Sequence, residues 1–269
     1  MIKIKEYIYL WLSYIKEIKY WLYKDIIKSI NSIEEFFYIT NSRQKLEDFF
    51  NSINYNISSC LLEKLIDKKI KENSYKLYIF LKINKIEIVN IESKGYPSRL
   101  FLLKSPPFCI LVTGDKELLD KQSVFIYTEN KSSTYIKTVY NNFLEHIRNI
   151  NVAKIYLKKV KEKYLLEYFK EYIKIEENES ILKIYIPFCN QIGILEIFSS
   201  LCNLTIILEA KYNKKSVIIN IIDNLVSMSS NILVLPGNIT NKNSYFSNYL
   251  IKQGADVILS KYDINKYIK

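Results

Sequence analysis

The sequence predicts an α/β protein in which a small all-helical domain precedes a Rossmann-like domain with a largely parallel sheet. Up to residue 83, apolar side chains recur at three- and four-residue spacing, which is typical of amphipathic helices. From residue 84 onward, short β-rich runs alternate with helical segments, and this alternation favours a parallel sheet covered on both faces. We therefore predict a helical domain over residues 1–83 and a Rossmann-like domain over residues 84–269.

Periodicity and capping signals place the helices of the first domain. Neither Pro nor Gly interrupts the apolar periodicity of residues 6–30. Ser32 lies three residues before Glu35, which is the spacing of a capping box, and this pair predicts a helix over residues 33–39. Further helices are predicted at residues 43–51, 60–71 and 75–83.

Run length and residue type assign the elements of the second domain. Short runs rich in β-branched and aromatic residues predict strands at residues 86–91, 108–112, 124–127, 181–186, 204–209, 232–235 and 257–259. Longer periodic runs predict helices at residues 134–147, 158–172, 193–201, 218–228 and 247–253. Ligands of open α/β sheets bind outside the carboxyl ends of the strands, so residues that follow these strands are the first candidates for a site.

The charge of the chain makes nucleic acid a candidate partner. Lys and Arg number 39 against 28 Asp and Glu, and the resulting formal charge of +11 attracts polyanions. Solvated Lys faces are common on helices, however, so the charge alone does not establish such binding. No apolar stretch reaches the roughly 20 residues that a membrane span needs, and we expect a cytoplasmic protein without a membrane partner.

The chain lacks the sequence patterns of metal, disulfide and cofactor sites. Its four cysteines form no C-x-x-C pair, and its five glycines form neither a G-x-G-x-x-G nor a P-loop pattern. His146 is the only histidine and has no second ligand near it in the sequence. Glu209, at the end of a predicted strand, has no identifiable partner carboxylate for acid–base catalysis. We expect no catalytic residue, no metal and no cofactor, and hence no enzyme.

Two groups of motifs resemble those of the DprA/Smf family of DNA-processing proteins. The first is a Y-P-x-x-L segment followed by paired prolines and a strand that ends in glycine, and it contains Tyr96, Pro97, Pro106, Pro107 and Gly114. The second comprises a strand ending in Glu-Ala, a P-G-N turn and an L-I-x-x-G-A block, and it contains Glu209, Pro236, Gly237, Asn238, Gly254 and Ala255. With the helical N-terminal region, the similarity covers most of the chain.

The resemblance implies a fold and a function. It implies a SAM-like helical domain before the Rossmann-like domain, binding of single-stranded DNA, self-association into a homodimer, and loading of a RecA-type recombinase in natural transformation. The chain departs from the family at its polar loops: Tyr127-Thr128-Glu129 stands in place of Gly-Ser-Arg, and Ile194-Leu195-Glu196 in place of Arg-Asn-Arg. We therefore expect weakened DNA binding.

Lysines near the predicted strand ends are the candidate ligands of nucleic acid. Residues 211–215 place three lysines around Tyr212 directly after a strand, where cations neutralise phosphates and an aromatic ring stacks on a base. Solvation of a charged surface loop is the simpler alternative. The candidate nucleic-acid ligands are Lys131, Lys137, Lys211, Lys214, Lys215 and Lys242.

Three functions remain open at this point. The leading hypothesis is a non-catalytic DNA-processing protein that binds single strands without sequence preference through Lys–phosphate contacts. Loss of the Gly-Ser-Arg and Arg-Asn-Arg motifs favours an alternative, a protein-interaction scaffold without DNA binding. The third is a nucleotide-binding enzyme of Rossmann-like fold, which the missing glycine loops disfavour.

Overall fold

The computed structural model describes residues 4–114, 121–128, 133–148, 155–160, 182–187, 194–211 and 216–268. By contacts between Cα atoms the chain divides into two compact units. The first comprises residues 1–96, 104–114 and 157–192, and the second comprises residues 97–103, 115–156 and 193–269. The boundary predicted after residue 83 falls inside the first unit, and a separate domain over residues 1–83 stays a prediction.

The first unit contains six helices among its described residues, and the last two divide the chain differently from the prediction. The six helices are α1 Ile4–Tyr14, α2 Tyr20–Lys28, α3 Ile33–Ile39, α4 Arg43–Ser52, α5 Ser59–Ile66 and α6 Lys68–Ile83. The periodic run 6–30 breaks into α1 and α2, yet Ile15 and Ile18 in the break remain buried, which explains why the pattern continues through it.

Two side-chain caps differ from the sequence prediction. The predicted helices 60–71 and 75–83 are instead divided at Asp67, whose carboxylate accepts hydrogen bonds from the backbone N–H groups of Lys69 and Ile70 and so begins α6. At α3, Ser32 Oγ accepts from Glu35 N–H as predicted. The Glu35 carboxylate accepts from the N–H of Asn31 at 2.9 Å, one residue earlier than in a standard capping box.

Helix α1 forms the centre of the first unit. It contacts α3 and α6 as well as strands β1 (Glu87–Asn90) and β2 (Cys109–Thr113). The side chains of Ile8, Tyr9, Leu10 and Trp11 are fully buried, so this helix is enclosed all round rather than amphipathic.

The strands form two four-stranded sheets. The remaining strands are β3 Val124–Thr128, β4 Ile155–Val160, β5 Leu182–Pro187, β6 Leu204–Glu209, β7 Asn231–Val234 and β8 Asp256–Val257. One sheet has the order β1-β2-β5-β4, and the other has the order β3-β6-β7-β8. Every described pairing of the second sheet is parallel, which confirms the predicted Rossmann-like sheet.

The sequence did not distinguish the two sheets. Strands β1 and β2 pair antiparallel, as do β2 and β5. The connection between β1 and β2 contains one short 3-10 turn, Ser98–Leu102, and no α-helix, whereas a parallel pair needs a long crossover. The predicted helix 158–172 is wrong at its start, because residues 158–160 belong to β4; its remaining residues lie outside the described part of the chain.

Helices cover the parallel sheet on both faces. They are α7 Thr134–Arg148, α8 Ile194–Leu201, α9 Val217–Ser227 and α10 Tyr245–Lys252. All six residues of β6 are buried, as expected for a central strand between two layers. One apolar cluster packs Ile207 against Ile221 and Leu250, and a second packs Ile206 against Phe143 and Ile264.

No helix within the described ranges is long and apolar enough to cross a lipid bilayer.

A hydroxyl pair in the first unit predicts how stability depends on pH. The hydroxyl groups of Tyr9 and Tyr23 hydrogen-bond at 2.8 Å in the core. Burial raises the pKa of both tyrosines above the usual value of 10.0. The folded state therefore holds both protons at pH values where the unfolded chain releases them. The stability that follows from this is complete below pH 10 and is lost as the pH rises above it.

We expect the double variant Tyr9→Phe/Tyr23→Phe to lose less stability between pH 9 and pH 11 than the wild type does. Each buried tyrosine accounts for up to about 1.4 kcal/mol per pH unit above 10. Urea unfolding at the two pH values measures the difference. Tyr135→Phe/Tyr245→Phe, at two exposed rings, is the matched control and should behave as the wild type. Equal losses in all three proteins would contradict the assignment.

Candidate nucleic-acid interface

The parallel sheet ends in an edge at which three strands present polar residues. We call this the carboxyl edge and define it as Thr128 at the end of β3, residues 209–211 at the end of β6 and residues 235–238 after β7. Because β3, β6 and β7 are parallel, their carboxyl ends lie on the same side of the sheet. Open α/β sheets bind their ligands on this side.

The first residues of α10 fasten the end of β6. The backbone N–H of Ala210 donates to Ser247 Oγ at 2.9 Å, and the N–H of Phe246 donates to the carbonyl oxygen of Ala210 at 3.1 Å. Ser247 is fully buried. The Glu-Ala end of the strand is therefore joined to α10 through both polar groups of one backbone residue.

The next residue of α10 fastens the end of β7. Asn248 Oδ1 accepts from the N–H of Gly237 at 3.0 Å, and Asn248 Nδ2 donates to the carbonyl oxygen of the same glycine at 2.9 Å. The backbone here passes so close to Ser244 that a Cβ on Gly237 would lie 2.2 Å from Ser244 Oγ. The P-G-N turn thus requires glycine for close approach.

The L-I-x-x-G-A block ends the same helix. The N–H of Ala255 donates to the carbonyl oxygen of Leu250, and the N–H of Gly254 donates to that of Ile251. Gly254 has φ +99°, a left-handed conformation that favours glycine after a helix. Gly254 and Ala255 therefore form a helix stop, and they carry no ligand-binding group.

The remaining motif residues also have structural contacts. In the first unit, the hydroxyl of Tyr96 donates to the carbonyl oxygen of Pro107 at 2.7 Å, Pro106 is buried, and Gly114 directly follows β2. In the second unit, Pro97 precedes the 3-10 turn, and Arg99 Nε within that turn donates to the carbonyl oxygen of Ser200 at 2.7 Å. Burial lowers the pKa of Arg99 below its usual value.

Three predicted lysines lie in the described part of the chain. Lys137 is exposed on the first turn of α7, which follows β3; Lys211 is exposed directly after β6; and Lys242 is exposed in the 3-10 turn Lys242–Ser244, which follows β7. Each lysine follows the carboxyl end of a different strand of the parallel sheet. Lys131, Lys214 and Lys215 lie outside the described residues.

One carboxylate lies at the centre of the carboxyl edge. Glu209 has an exposed fraction of 4%, and its Oε1 accepts from Asn241 Nδ2 at 3.2 Å. Asn238 Oδ1 accepts from the backbone N–H and the hydroxyl of Thr240, each at 2.9 Å. These bonds fold the polar segment after Gly237 back over the end of β6.

Comparison with solved structures identifies a similar fold. No protein-family model matches the chain, and no curated protein matches it by sequence. Its structure is similar to the X-ray structure of DNA processing protein A (DprA) from Streptococcus pneumoniae, with a TM-score of 0.50 and 12% identity over 94% of this chain and 99% of that one. The chain has a DprA-like fold.

A second solved structure is that of DprA from Helicobacter pylori, described for its single-stranded DNA binding mode. It matches with a TM-score of 0.46 and 14% identity over 67% of this chain and 95% of that one. At such identities, the likeness to the S. pneumoniae protein establishes the fold alone. The DprA-like fold confirms the expected combination of a Rossmann-like sheet with a helical part.

The structure gives the contacts of two residues that the sequence analysis singled out, Glu196 and His146. Glu196, at one position of the missing Arg-Asn-Arg motif, accepts from Asn220 Nδ2 at 3.1 Å and so links α8 to α9. His146 Nε2 hydrogen-bonds to Asn265 Oδ1 at 2.9 Å and its ring contacts that of Tyr262. Among the described residues, no three His, Cys, Asp or Glu side chains form a group that would hold a metal ion.

Sequence reasoning missed four residues that contact the carboxyl edge. Asn241, Ser244, Ser247 and Asn248 make the contacts described above, and none was a predicted site residue. Ser247 and Asn248 are the first residues of the predicted helix 247–253, so two polar side chains at its start were the available signal. The close approach of Ser244 to Gly237 cannot be predicted from a single sequence.

We expect Gly237→Ala to destabilise the protein by about 1–3 kcal/mol, the usual cost of overpacking a well-packed site. The added methyl group would meet Ser244, which has an exposed fraction of 4%. Gly95→Ala is the matched control, because a Cβ at Gly95 meets no atom within 4 Å. Urea unfolding measures both variants, and equal stabilities would disprove the close approach.

Proposed function

We propose that this protein binds single-stranded DNA along the carboxyl edge, without sequence preference for most of the strand and without catalysing a reaction. The carrying observation is that Lys137, Lys211 and Lys242 are exposed after the ends of three neighbouring parallel strands. Their ammonium groups attract phosphates, and the formal charge of +11 increases the local concentration of any polyanion.

The DprA-like fold supports this proposal. The S. pneumoniae structure of that fold is a DNA-processing protein by name. As in the family that the sequence resembles, we propose self-association into a homodimer, a cytoplasmic setting, and loading of a RecA-type recombinase during natural transformation. Lys131, Lys214 and Lys215 follow the same strand ends in sequence, and we propose that they add phosphate contacts.

A protein-interaction scaffold without DNA binding is the second candidate. The contact between Glu196 and Asn220 favours it, because a carboxylate engaged in helix packing stands where the family has a positive charge. A groove of about 470 Å³ beside α9 and α10, lined by apolar side chains and by polar ones that include Asp223 and Asp256, has no cation among its lining residues. DNA binding remains the leading proposal because each exposed lysine follows the carboxyl end of a parallel strand, and open α/β sheets bind their ligands on that side.

We expect salt-dependent binding of a labelled single strand of about 30 nucleotides, measured by fluorescence anisotropy over a series of salt concentrations. The triple variant Lys137→Gln/Lys211→Gln/Lys242→Gln should bind more weakly. Its slope of log affinity against log salt should be smaller by about 2, since each phosphate contact on a single strand contributes about 0.7.

A matched control removes three exposed lysines from the helices of the first unit, Lys28, Lys69 and Lys76, again as Gln substitutions. Both triple variants carry the same net charge, so only contacts at the carboxyl edge distinguish them. Equal slopes in the two variants would show that binding follows net charge and would disprove the proposed interface. Absence of binding by the wild type at low salt would favour the scaffold.

A further inference from the structure

Two buried polar atoms at the carboxyl edge have no hydrogen-bond partner among the described residues. They are Oε2 of Glu209 and Oγ1 of Thr128, and neither is accessible to solvent. Thr128 and Glu209 are paired in register on the neighbouring strands β3 and β6, directly after a register shift at Tyr127. Leaving a buried charged group unsatisfied costs more than the roughly 1–3 kcal/mol of a neutral one, so these atoms call for an explanation.

The carboxylate is held in a fixed orientation by its other oxygen. Asn241 Nδ2 donates to Glu209 Oε1 at 3.2 Å, and Asn241 Oδ1 accepts from the N–H of Asn243 at 3.0 Å. Asn241 itself is exposed, so the hydrogen bond to Glu209 joins a surface residue to a buried carboxylate. The donor in this bond is an NH2 group, so the carboxylate already accepts a hydrogen bond from a group of the kind that nucleobases carry.

Charge decides which part of a single strand this pair of atoms contacts. An ionised carboxylate only accepts hydrogen bonds, and a phosphate repels it. The exocyclic amino groups of cytosine, adenine and guanine donate hydrogen bonds that a carboxylate accepts. Thymine has no amino group, and its imino group lies between two carbonyl oxygens. The hydroxyl of Thr128 can donate to the acceptor beside the amino group.

We propose that Glu209 and Thr128 form a base-reading subsite that takes an amino-bearing nucleobase, cytosine in preference to thymine, from a single strand bound at the carboxyl edge. The subsite rests on the proposed function, because the exposed lysines hold the phosphates while the carboxylate and hydroxyl contact the base. The amino group of a bound base supplies a partner for Glu209 Oε2, while Asn241 keeps its bond to Oε1. Phosphate contacts position the strand, and this one base contact gives it a preference.

The test compares two labelled 30-nucleotide strands, oligo-dC and oligo-dT, by fluorescence anisotropy at several salt concentrations. Both are flexible pyrimidine strands with the same charge, so their affinity ratio isolates base contacts. We expect the wild type to bind oligo-dC more tightly than oligo-dT by roughly five- to a hundredfold, the range of one good base contact. We expect Glu209→Gln to lose most of this ratio, because its amide donates as well as accepts.

Two further variants keep the result interpretable. Thr128→Val removes the hydroxyl without changing the shape of the side chain, and it should reduce the ratio. Asp223→Asn removes an exposed carboxylate on α9; it raises the net charge as Glu209→Gln does and should leave the ratio unchanged. Should Glu209→Gln fail to fold, the wild-type ratio and Thr128→Val decide.

The outcomes separate this proposal from the proposed function. Salt-dependent binding with equal affinity for the two strands overturns the subsite and leaves DNA binding intact. A preference that Glu209→Gln and Thr128→Val both retain overturns the subsite as well. If neither strand binds at low salt, DNA binding and the subsite are both wrong.

Discussion

Two consecutive side chains of α10, Ser247 and Asn248, hold the ends of two core strands. Each contacts the backbone after a different strand, Ala210 after β6 and Gly237 after β7. The two anchored residues leave the sheet in the same direction because the strands are parallel. Together with the bond from Asn241 to Glu209, these contacts fix the course of the segment after Gly237 relative to the end of β6. The positions of Lys211 and Lys242 depend on them.

The sequence predicted the parallel sheet for a physical reason. Strands β3, β6 and β7 are separated by helical segments, and helical crossovers make neighbouring strands parallel. The antiparallel pairing of β1 and β2 was not predictable in the same way. The connection between these strands contains no α-helix, and its path depends on a single 3-10 turn. Strand β4 was missed because Lys158 and Lys159 were read as part of a charged helix, although Ile155 and Tyr156 before them favour a strand.

The site was predictable only in its outline. Knowing the strand ends was enough to propose Lys137, Lys211 and Lys242 as ligands, since each follows the carboxyl end of a parallel strand in the chain, and their joint use stays a prediction. The pairing of Thr128 with Glu209 follows a register shift between β3 and β6. Register shifts leave no periodic pattern in a sequence, since each strand alone reads as an ordinary buried run.

The motifs that resemble the DprA/Smf family report on the fold rather than on DNA binding. Gly237 is needed for close approach to Ser244, Gly254 for a left-handed helix end, and Tyr96 for a bond to Pro107. None of these contacts involves a group that would bind phosphate. Of the three, only Gly237 helps to shape the carboxyl edge. The residues that bear on function are therefore the exposed lysines and the unsatisfied pair Glu209 and Thr128, whose burial has a cost that the fold alone does not explain.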